Sequence, residues 1–298
     1  MAKIEVGKEQ TLKVLRKADF GIYLGYEEEK DEAVLLPAKQ VPENTEIGDA
    51  VSVFVYRDSE DRLISTTRKP YVKAGEFAYL TVKNTSRVGA FLDWGLEKDL
   101  FLPFKEQEEP VKGKDRLLVY VYVDKSGRLC ATGRIYDYLK PSAKREFYPG
   151  DAFTGVVYRT EKDHGVFVAV VPKKRSVTRD MPESFDRLYY GLIPPSEAYR
   201  KYKIGEILQG RIIRIREDLK LDVTERKKIV DMIEKDGETI LRKIEEYQGE
   251  LPFSENASPE IIRRELSMSK AAFKRAAGHL LKQGKIRIEA DRITKISQ

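Results

Sequence analysis

The chain has 298 residues, 41% of them hydrophobic and 35% charged, with only 13 Pro and 20 Gly. At roughly 100–200 residues per domain this length calls for at least two domains, and the composition excludes a disordered or collagen-like chain. Net charge is +6, a mild bias that fixes no partner by itself. The sequence lacks the run of about 18 apolar residues that a membrane-spanning helix needs. Met1 to Gln10 carries no apolar signal core, and the single cysteine, Cys130, excludes an internal disulfide. Both features predict a cytoplasmic protein.

Three segments repeat one pattern at a period of about 70 residues. The first runs Phe20-Gly21-Ile22-Tyr23-Leu24, Leu35-Leu36-Pro37, Gly48-Asp49, then Val53 to Asp58 and Arg62. The second runs Val88-Gly89-Ala90-Phe91-Leu92, Leu102-Pro103, Gly113-Lys114, then Val119 to Asp124 and Arg128. The third runs His164-Gly165-Val166-Phe167-Val168, Ile193-Pro194, Gly205-Glu206, then Gly210 to Arg216 and Lys220. Stretches such as Val51-Ser52-Val53-Phe54-Val55 alternate with period two, the signature of a strand. Each unit reads as five short strands. Closing them into a small barrel removes the open edges, which predicts a barrel of the oligonucleotide/oligosaccharide-binding (OB) fold in each repeat.

From Glu225 onward the pattern turns helical. Ile240, Leu241, Ile244 and Tyr247 share one face, and Leu251-Pro252 interrupts. Ser258-Pro259 marks a second helix with Ile261, Ile262 and Leu266, since Ser caps and Pro fits the first turn. Ser269 caps a third, with Phe273, Ala276, Ala277 and Leu280 at helical spacing. Ile286, Ile288, Ile293 and Ile296 flank a turn and read as a two-stranded wing. The predicted fold is mainly β with an α+β tail: three tandem five-stranded OB barrels, then a winged helix-turn-helix. The expected domains are 1–70, 71–146, 147–226 with a basic insertion, and 227–298. Residues 225–260 carry 6 basic and 10 acidic groups, residues 261–298 carry 10 and 3. That excess of seven positive charges on one element points to an anionic partner.

The repeat order resembles the ribosomal S1 repeat, an RNA-binding barrel, over residues 1 to about 225. Three such barrels before a winged helix resemble the conserved virulence factor B family of bacterial RNA-binding regulators. The resemblance implies a cytoplasmic, non-enzymatic protein that binds single-stranded RNA and affects gene expression. S1 barrels carry an aromatic just before the Gly and another two residues after it. Phe20 and Tyr23 match in the first repeat and Phe91 in the second, where Val88 takes the earlier place. His164 and Phe167 match in the third. Strand alternation sends Ile22, Ala90 and Val166 inward, so Tyr23, Phe91 and Phe167 are expected to face solvent. Each base stacked on such a ring is worth about 1–3 kcal/mol.

S1 barrels also place an Asp and an Arg four apart near this face. Asp58 with Arg62 and Asp124 with Arg128 match; in the third repeat Glu217 and Asp218 crowd the position and only Lys220 aligns. The Arg offers a phosphate or base contact that the Asp orients, or the two form a plain hairpin ion pair. Pro37, Pro103 and Pro194 stand where many S1 barrels have a His. Residues 172–187, present only in the third repeat, read as a flexible basic loop with Lys173, Lys174, Arg175, Arg179 and Arg187 as phosphate contacts. On the third helix Lys270, Lys274, Arg275 and Lys282 lie off the apolar stripe. They suit phosphate contact, and the first turns lack Asn or Gln for adenine reading.

No catalytic constellation is apparent. A Gly-x-x-x-x-Gly-Lys loop is absent, His164 and His279 lie in different modules, and no Cys/His cluster suits a metal. The expectation is a non-enzyme without metal or cofactor, with single-stranded RNA as partner and no membrane contact. A DNA-binding transcription regulator led by the winged helix, or an adaptor on ribosome or polymerase, remain as alternatives.

Overall fold

The computed structural model describes residues 3–26, 33–58, 60–142, 145–173, 175, 177, 184–226 and 229–296. The chain forms two compact units, Met1–Glu225 and Arg226–Gln298. The first holds three barrels. In barrel 1, β1 (Glu9–Ala18), β2 (Gly21–Gly25), β3 (Val34–Pro37), β4 (Ala50–Arg57) and β5 (Leu63–Thr66) close in the order β1-β2-β3-β5-β4. Barrel 2 repeats this with β6 (Phe77–Thr85), β7 (Gly89–Asp93), β8 (Leu100–Pro103), β9 (Arg116–Val123) and β10 (Leu129–Thr132), closed by the β6–β9 pairing. Barrel 3 uses β11 (Ala152–Glu161), β12 (Gly165–Val170), β14 (Tyr189–Ile193), β15 (Ile207–Ile215) and β16 (Leu221–Thr224). A short β13 (Ser184–Phe185) precedes β14 and joins β6 of barrel 2.

The repeated glycine has a steric cause. A Cβ on Gly21, Gly89 or Gly165 would sit 2.1, 2.3 or 2.2 Å from the carbonyl oxygen of Leu36, Leu102 or Ile193. Only glycine lets β2, β7 and β12 start this close to the next strand. The first strand of each barrel carries a bulge at one repeated place, between Val14 and Arg16, Val82 and Asn84, and Val157 and Arg159. A bulge raises local twist and helps a short sheet curl shut.

Alternation on the fourth strand builds both barrel cores and seams. Val51, Val53 and Val55 fill barrel 1, while Phe54 and Tyr56 point outward and pack with Val72 and Trp94 against barrel 2. Leu117, Val119 and Val121 fill barrel 2, while Leu118 and Tyr120 point outward into the seam with barrel 3. There they meet Val156 and Tyr158, and the Tyr79 hydroxyl donates to Gly205 O at 2.6 Å.

The described residues of the third-repeat insertion are not all solvated, as its charge would suggest. Val177 is buried, and Phe185, 2% exposed, packs in the same seam while β13 pairs with Phe77 and Ala78. Val177 and Phe185 thus anchor the described part of the insertion in this seam. Arg175 donates to Ser184 O and lies over the Phe185 ring, and Lys173 pairs with Asp151 at 2.8 Å. Lys174 and Arg179 lie outside the described residues.

The second unit has α1 (Ile229–Glu246), β17 (Glu250–Leu251), α2 (Pro259–Leu266), α3 (Lys270–Lys282), β18 (Ile286–Ile288) and β19 (Ile293–Lys295). Ser258 and Ser269 cap α2 and α3 by accepting from Ile261 N and Ala272 N. Ile240, Ile244, Ile262, Leu266, Phe273, Ala276, Ala277, Leu280, Ile286 and Ile293 form the core. Two details differ from the sequence reading. Leu251 belongs to a third strand paired with β19, and Tyr247 is exposed past the end of α1, where it donates to Glu265. No helix among the described residues is long and apolar enough to cross a membrane.

Phe54→Ala should remove a buried ring from the first seam and cost about 3–5 kcal/mol. Urea unfolding measures it. The native emission of Trp94, the single tryptophan, should shift to the red because its ring packs on Phe54 at 5.8 Å.

Candidate nucleic-acid interface

Each barrel carries one row of outward residues that crosses its strands, fixed by the register. In barrel 1 it runs Arg16, Tyr23, Leu35, Ile64, Tyr56. In barrel 2 it runs Asn84, Phe91, Phe101, Cys130, Tyr122. In barrel 3 it runs Arg159, Phe167, Leu192, Asp222, Arg214. Tyr23, Phe91 and Phe167 hold equivalent places, and Ile22, Ala90 and Val166 beside them are buried in the barrels. All three rings are half-buried rather than open, and for a different reason in each barrel.

On barrel 1 the Arg16 guanidinium lies 3.5 Å from the Tyr23 ring centre, and Phe20, 58% exposed, meets Tyr23 edge-on at 6.2 Å. Asp58 binds Arg62 at 2.8 Å and accepts from the backbone N–H of Glu60 and Arg62. Glu60 takes the other side of Arg62 at 3.0 Å. Partial burial pushes the Asp58 carboxyl up, but these hydrogen bonds outweigh it and hold the group below the usual range. Two carboxylates thus neutralise Arg62, while Arg16 stays on the Tyr23 ring.

On barrel 2 the expected partnership of Asp124 and Arg128 does not form between side chains. Asp124 is occupied by Ser126 N, Ser126 Oγ and Arg128 N at 2.8, 2.6 and 3.0 Å. The Arg128 guanidinium instead crosses to Asp61 of barrel 1, with Nε at 2.6 Å. Arg57 returns the contact, donating to Gly127 O at 3.0 Å. Phe91 and Phe101, 5.4 Å apart, therefore lie in a cleft of about 290 Å³ whose far wall is Tyr56, Arg57 and Asp61. Burial raises the Cys130 thiol in this row to about 11, so it is a poor nucleophile.

Barrel 3 differs in charge. Its last hairpin closes through Arg216 N to Lys220 O, as the others close through Asp58 to Arg62 and Asp124 to Arg128. The counterpart of the two aspartates is thus Arg216, not Glu217 or Asp218. A carboxylate reappears two residues past the turn as Asp222, 3% exposed, which binds Arg214 at 2.6 Å and Arg216 at 2.7 Å. Two guanidiniums share one carboxylate, and Arg214 is 68% exposed, so one positive charge stays uncompensated at the rim. Lys220 pairs with Asp218 at 3.1 Å and lies 5.1 Å from the Tyr190 ring.

The ring set of barrel 3 is larger as well. Tyr190 packs at 5.0 Å on Tyr136 of the inter-barrel segment, and Arg159 lies 4.2 Å over Phe167 and 5.6 Å from Tyr136. His164, by contrast, is exposed and pairs with Glu161 at 2.9 Å. Sequence reasoning missed Tyr136, Arg159, Tyr190, Arg214 and Asp222. The last two were legible: Arg214-Ile215-Arg216 and Leu221-Asp222-Val223 alternate with period two, which sends the polar members outward.

On the winged helix Lys274 and Arg275 are exposed, while the Lys270 ammonium donates to Ala257 O at 2.9 Å and caps that turn. The wing is largely self-neutralised: Arg292 pairs with Glu250, Glu289 and Asp291.

An S1 domain family model matches residues 6–68 and 74–134, and a CvfB-like winged helix domain model matches 238–294. Bacillus subtilis YitL is 32% identical over 94% of this chain and 90% of its own. The chain belongs to the conserved virulence factor B family. Conserved virulence factor B of Staphylococcus aureus is 29% identical over 84% of this chain and 80% of its own, and that of Staphylococcus epidermidis 28% over 88% and 86%. The crystal structure of a Streptococcus pneumoniae multidomain protein with nucleic acid binding domains has the same fold. It gives a TM-score of 0.51 at 24% identity and covers 98% of each chain. As a member of the conserved virulence factor B family, the chain is a nucleic-acid-binding type of protein built from S1 domains and a winged helix.

Asp58 and Asp124 both titrate below the usual carboxylate range in the fold. Their contribution to stability is present above about pH 4 and is lost as pH falls through the lowered values. The double variant Asp58→Ala, Asp124→Ala should be less stable by about 1–3 kcal/mol at pH 7. That gap should close toward pH 2, as urea midpoints will show.

Proposed function

We propose that the protein holds single-stranded RNA on its tandem barrels, with barrel 3 as the principal site, and regulates gene expression in the cytoplasm by binding, without a chemical step. The observation that carries this reading is the barrel 3 row, whose register joins Phe167 through Leu192 and Asp222 to Arg214. A ring for a base and a guanidinium for a phosphate thus belong to one row of outward residues that winds round the barrel. Asp222 fixes the guanidiniums before the ligand arrives, so less rotamer entropy is lost on binding.

Stacking arithmetic supports an exchange on the ring. Arg159 over Phe167 is a cation–π contact worth about 0.5–1 kcal/mol at an exposed site. A stacked base is worth about 1–3 kcal/mol, so a base displaces the guanidinium or sandwiches with it. Weak contributions from the other barrels add through linkage, since a tethered second site sees its ligand at about millimolar concentration. Lys274 and Arg275 on α3 suit further phosphate contacts, which keeps duplex DNA as the competing ligand.

The test is a titration of the full chain with labelled oligouridylate and with duplex DNA across salt concentrations. Oligouridylate should bind more tightly, and its affinity should fall steeply as salt rises. Phe167→Ala with Arg214→Ala should weaken binding by about 2–4 kcal/mol, one stacking and one phosphate contact. Tyr23→Ala with Phe91→Ala should weaken it less. A preference for duplex DNA, or no loss in the folded barrel 3 variant, would contradict the proposal.

A further inference from the structure

A second cleft of the first unit lies between barrels 2 and 3. The loop between β8 and β9 of barrel 2 and the loop between β14 and β15 of barrel 3 face each other across a cleft of about 870 Å³. Its floor is the tight approach of Gly205 to Arg116, where a Cβ on Gly205 would sit 2.1 Å from the Arg116 carbonyl oxygen. Lys112, Lys114, Lys201 and Lys203 line the rim and are exposed. None of their ammonium groups pairs with a carboxylate among the described residues.

The repeat shows that these lysines are not generic. Equivalent turns close through Glu46 O to Asp49 N, Lys112 O to Asp115 N and Lys203 O to Glu206 N. The leading residue is acidic in barrel 1 and basic in the two barrels that face the cleft. The third position of the turn is Gly48 in barrel 1 and Gly205 in barrel 3, at φ 95° and 81°. Barrel 2 has Lys114 there, at φ 74°, a left-handed conformation that disfavours any side chain. The neighbouring Gly113, which the sequence pattern offers as the counterpart, lies one place too early. A lysine thus stands, at some local cost, where both sister turns use glycine.

Three carboxylates line the cleft, the exposed Glu109 together with Asp115 and Glu206, and the last two are engaged. Asp115 accepts from Lys112 N at 2.8 Å, and Glu206 accepts from Lys203 N and binds Arg200 at 2.7 Å. On the floor the Arg116 guanidinium lies 4.6 Å from the Tyr79 ring centre, with its buried Nε lacking a hydrogen-bond partner. Its terminal nitrogen donates to Tyr79 O, so the guanidinium adds a fixed positive charge under the four rim lysines.

We propose that this inter-barrel cleft binds a chain of phosphates, supplied by nucleic-acid backbone or by the polyphosphate of a nucleotide. The volume suits a ligand of that size, within the range of about 300–1,000 Å³ typical of small-molecule sites. This site goes beyond the RNA row of barrel 3 and stands or falls separately from it.

Inorganic tripolyphosphate is the direct probe, titrated into the full chain by calorimetry. It should bind one to one, and the variant Lys112→Ala, Lys114→Ala, Lys201→Ala, Lys203→Ala should lose about tenfold or more in affinity. Removing the same charge elsewhere, with Lys39→Ala, Lys69→Ala, Lys105→Ala and Lys125→Ala, should change it much less. Phe167→Ala with Arg214→Ala should leave tripolyphosphate binding intact whatever it does to RNA. Displacement by oligouridylate would identify backbone as the source, and displacement by adenosine triphosphate alone a nucleotide. No binding to the parent chain, equal loss in the two quadruple variants, or displacement by neither competitor would overturn the site. All four rim lysines are exposed and two neighbour the Arg116–Gly205 floor, so a melting curve checks that the variant is folded. Should it fail to fold, Lys201→Ala with Lys203→Ala alone carries the same comparison.

Discussion

A five-stranded barrel leaves the outward side chains of its fourth strand to be either covered or solvated, and the three repeats resolve this differently. Phe54, Tyr120 and Arg211 take the same register place, opposite Thr66, Thr132 and Thr224. The first two are rings packed under the next barrel. No barrel follows the third, and its fourth strand carries Arg211, Arg214 and, just past its end, Arg216 instead. The same apolar burial that welds barrels 1 and 2 into the array, at about 1.5–3 kcal/mol per large side chain, also spends their outer surface. Barrel 2 loses the most, because the hairpin of barrel 1 closes over Phe91 and takes Arg128 as its partner.

The hairpin charge follows the same logic. Asp58 and Asp124 hold their turns together by accepting backbone N–H groups. In barrel 3 the turn closes with Arg216 in that place and the carboxylate moves onto the strand as Asp222. There it orients two guanidiniums whose outer faces remain in water. One buried carboxylate under two exposed cations is stable without a dry ion pair, since neither guanidinium is fully desolvated.

Much of this was legible in the sequence. Glycine before an outward aromatic, valines at period two and Ser caps before apolar stripes fixed the barrels and the winged helix, because each is a local steric or hydrogen-bonding demand. What could not be read was long-range. Nothing near Arg128 says that it leaves Asp124 for Asp61, 67 residues away, and nothing in Lys173 to Arg187 says that Phe185 outweighs the cations around it. Tyr136 and Tyr190 come from an inter-barrel segment and a strand end, and only the folded seam brings them together. Lys114 was misplaced by one residue because Gly113 fits the motif, while the hydrogen bond from Lys114 N to Val82 O sets the true register.

The central claim is that nucleic acid lies along the outer row of barrel 3. Photocrosslinking with oligouridylate carrying 4-thiouridine, followed by peptide mapping, tests it most directly. The account predicts adducts concentrated at Tyr136, Phe167, Tyr190 and the Arg214–Lys220 hairpin, with fewer at Phe20 and Tyr23 and few at Phe91. Adducts concentrated on barrel 1 or spread evenly over the three rows would contradict it.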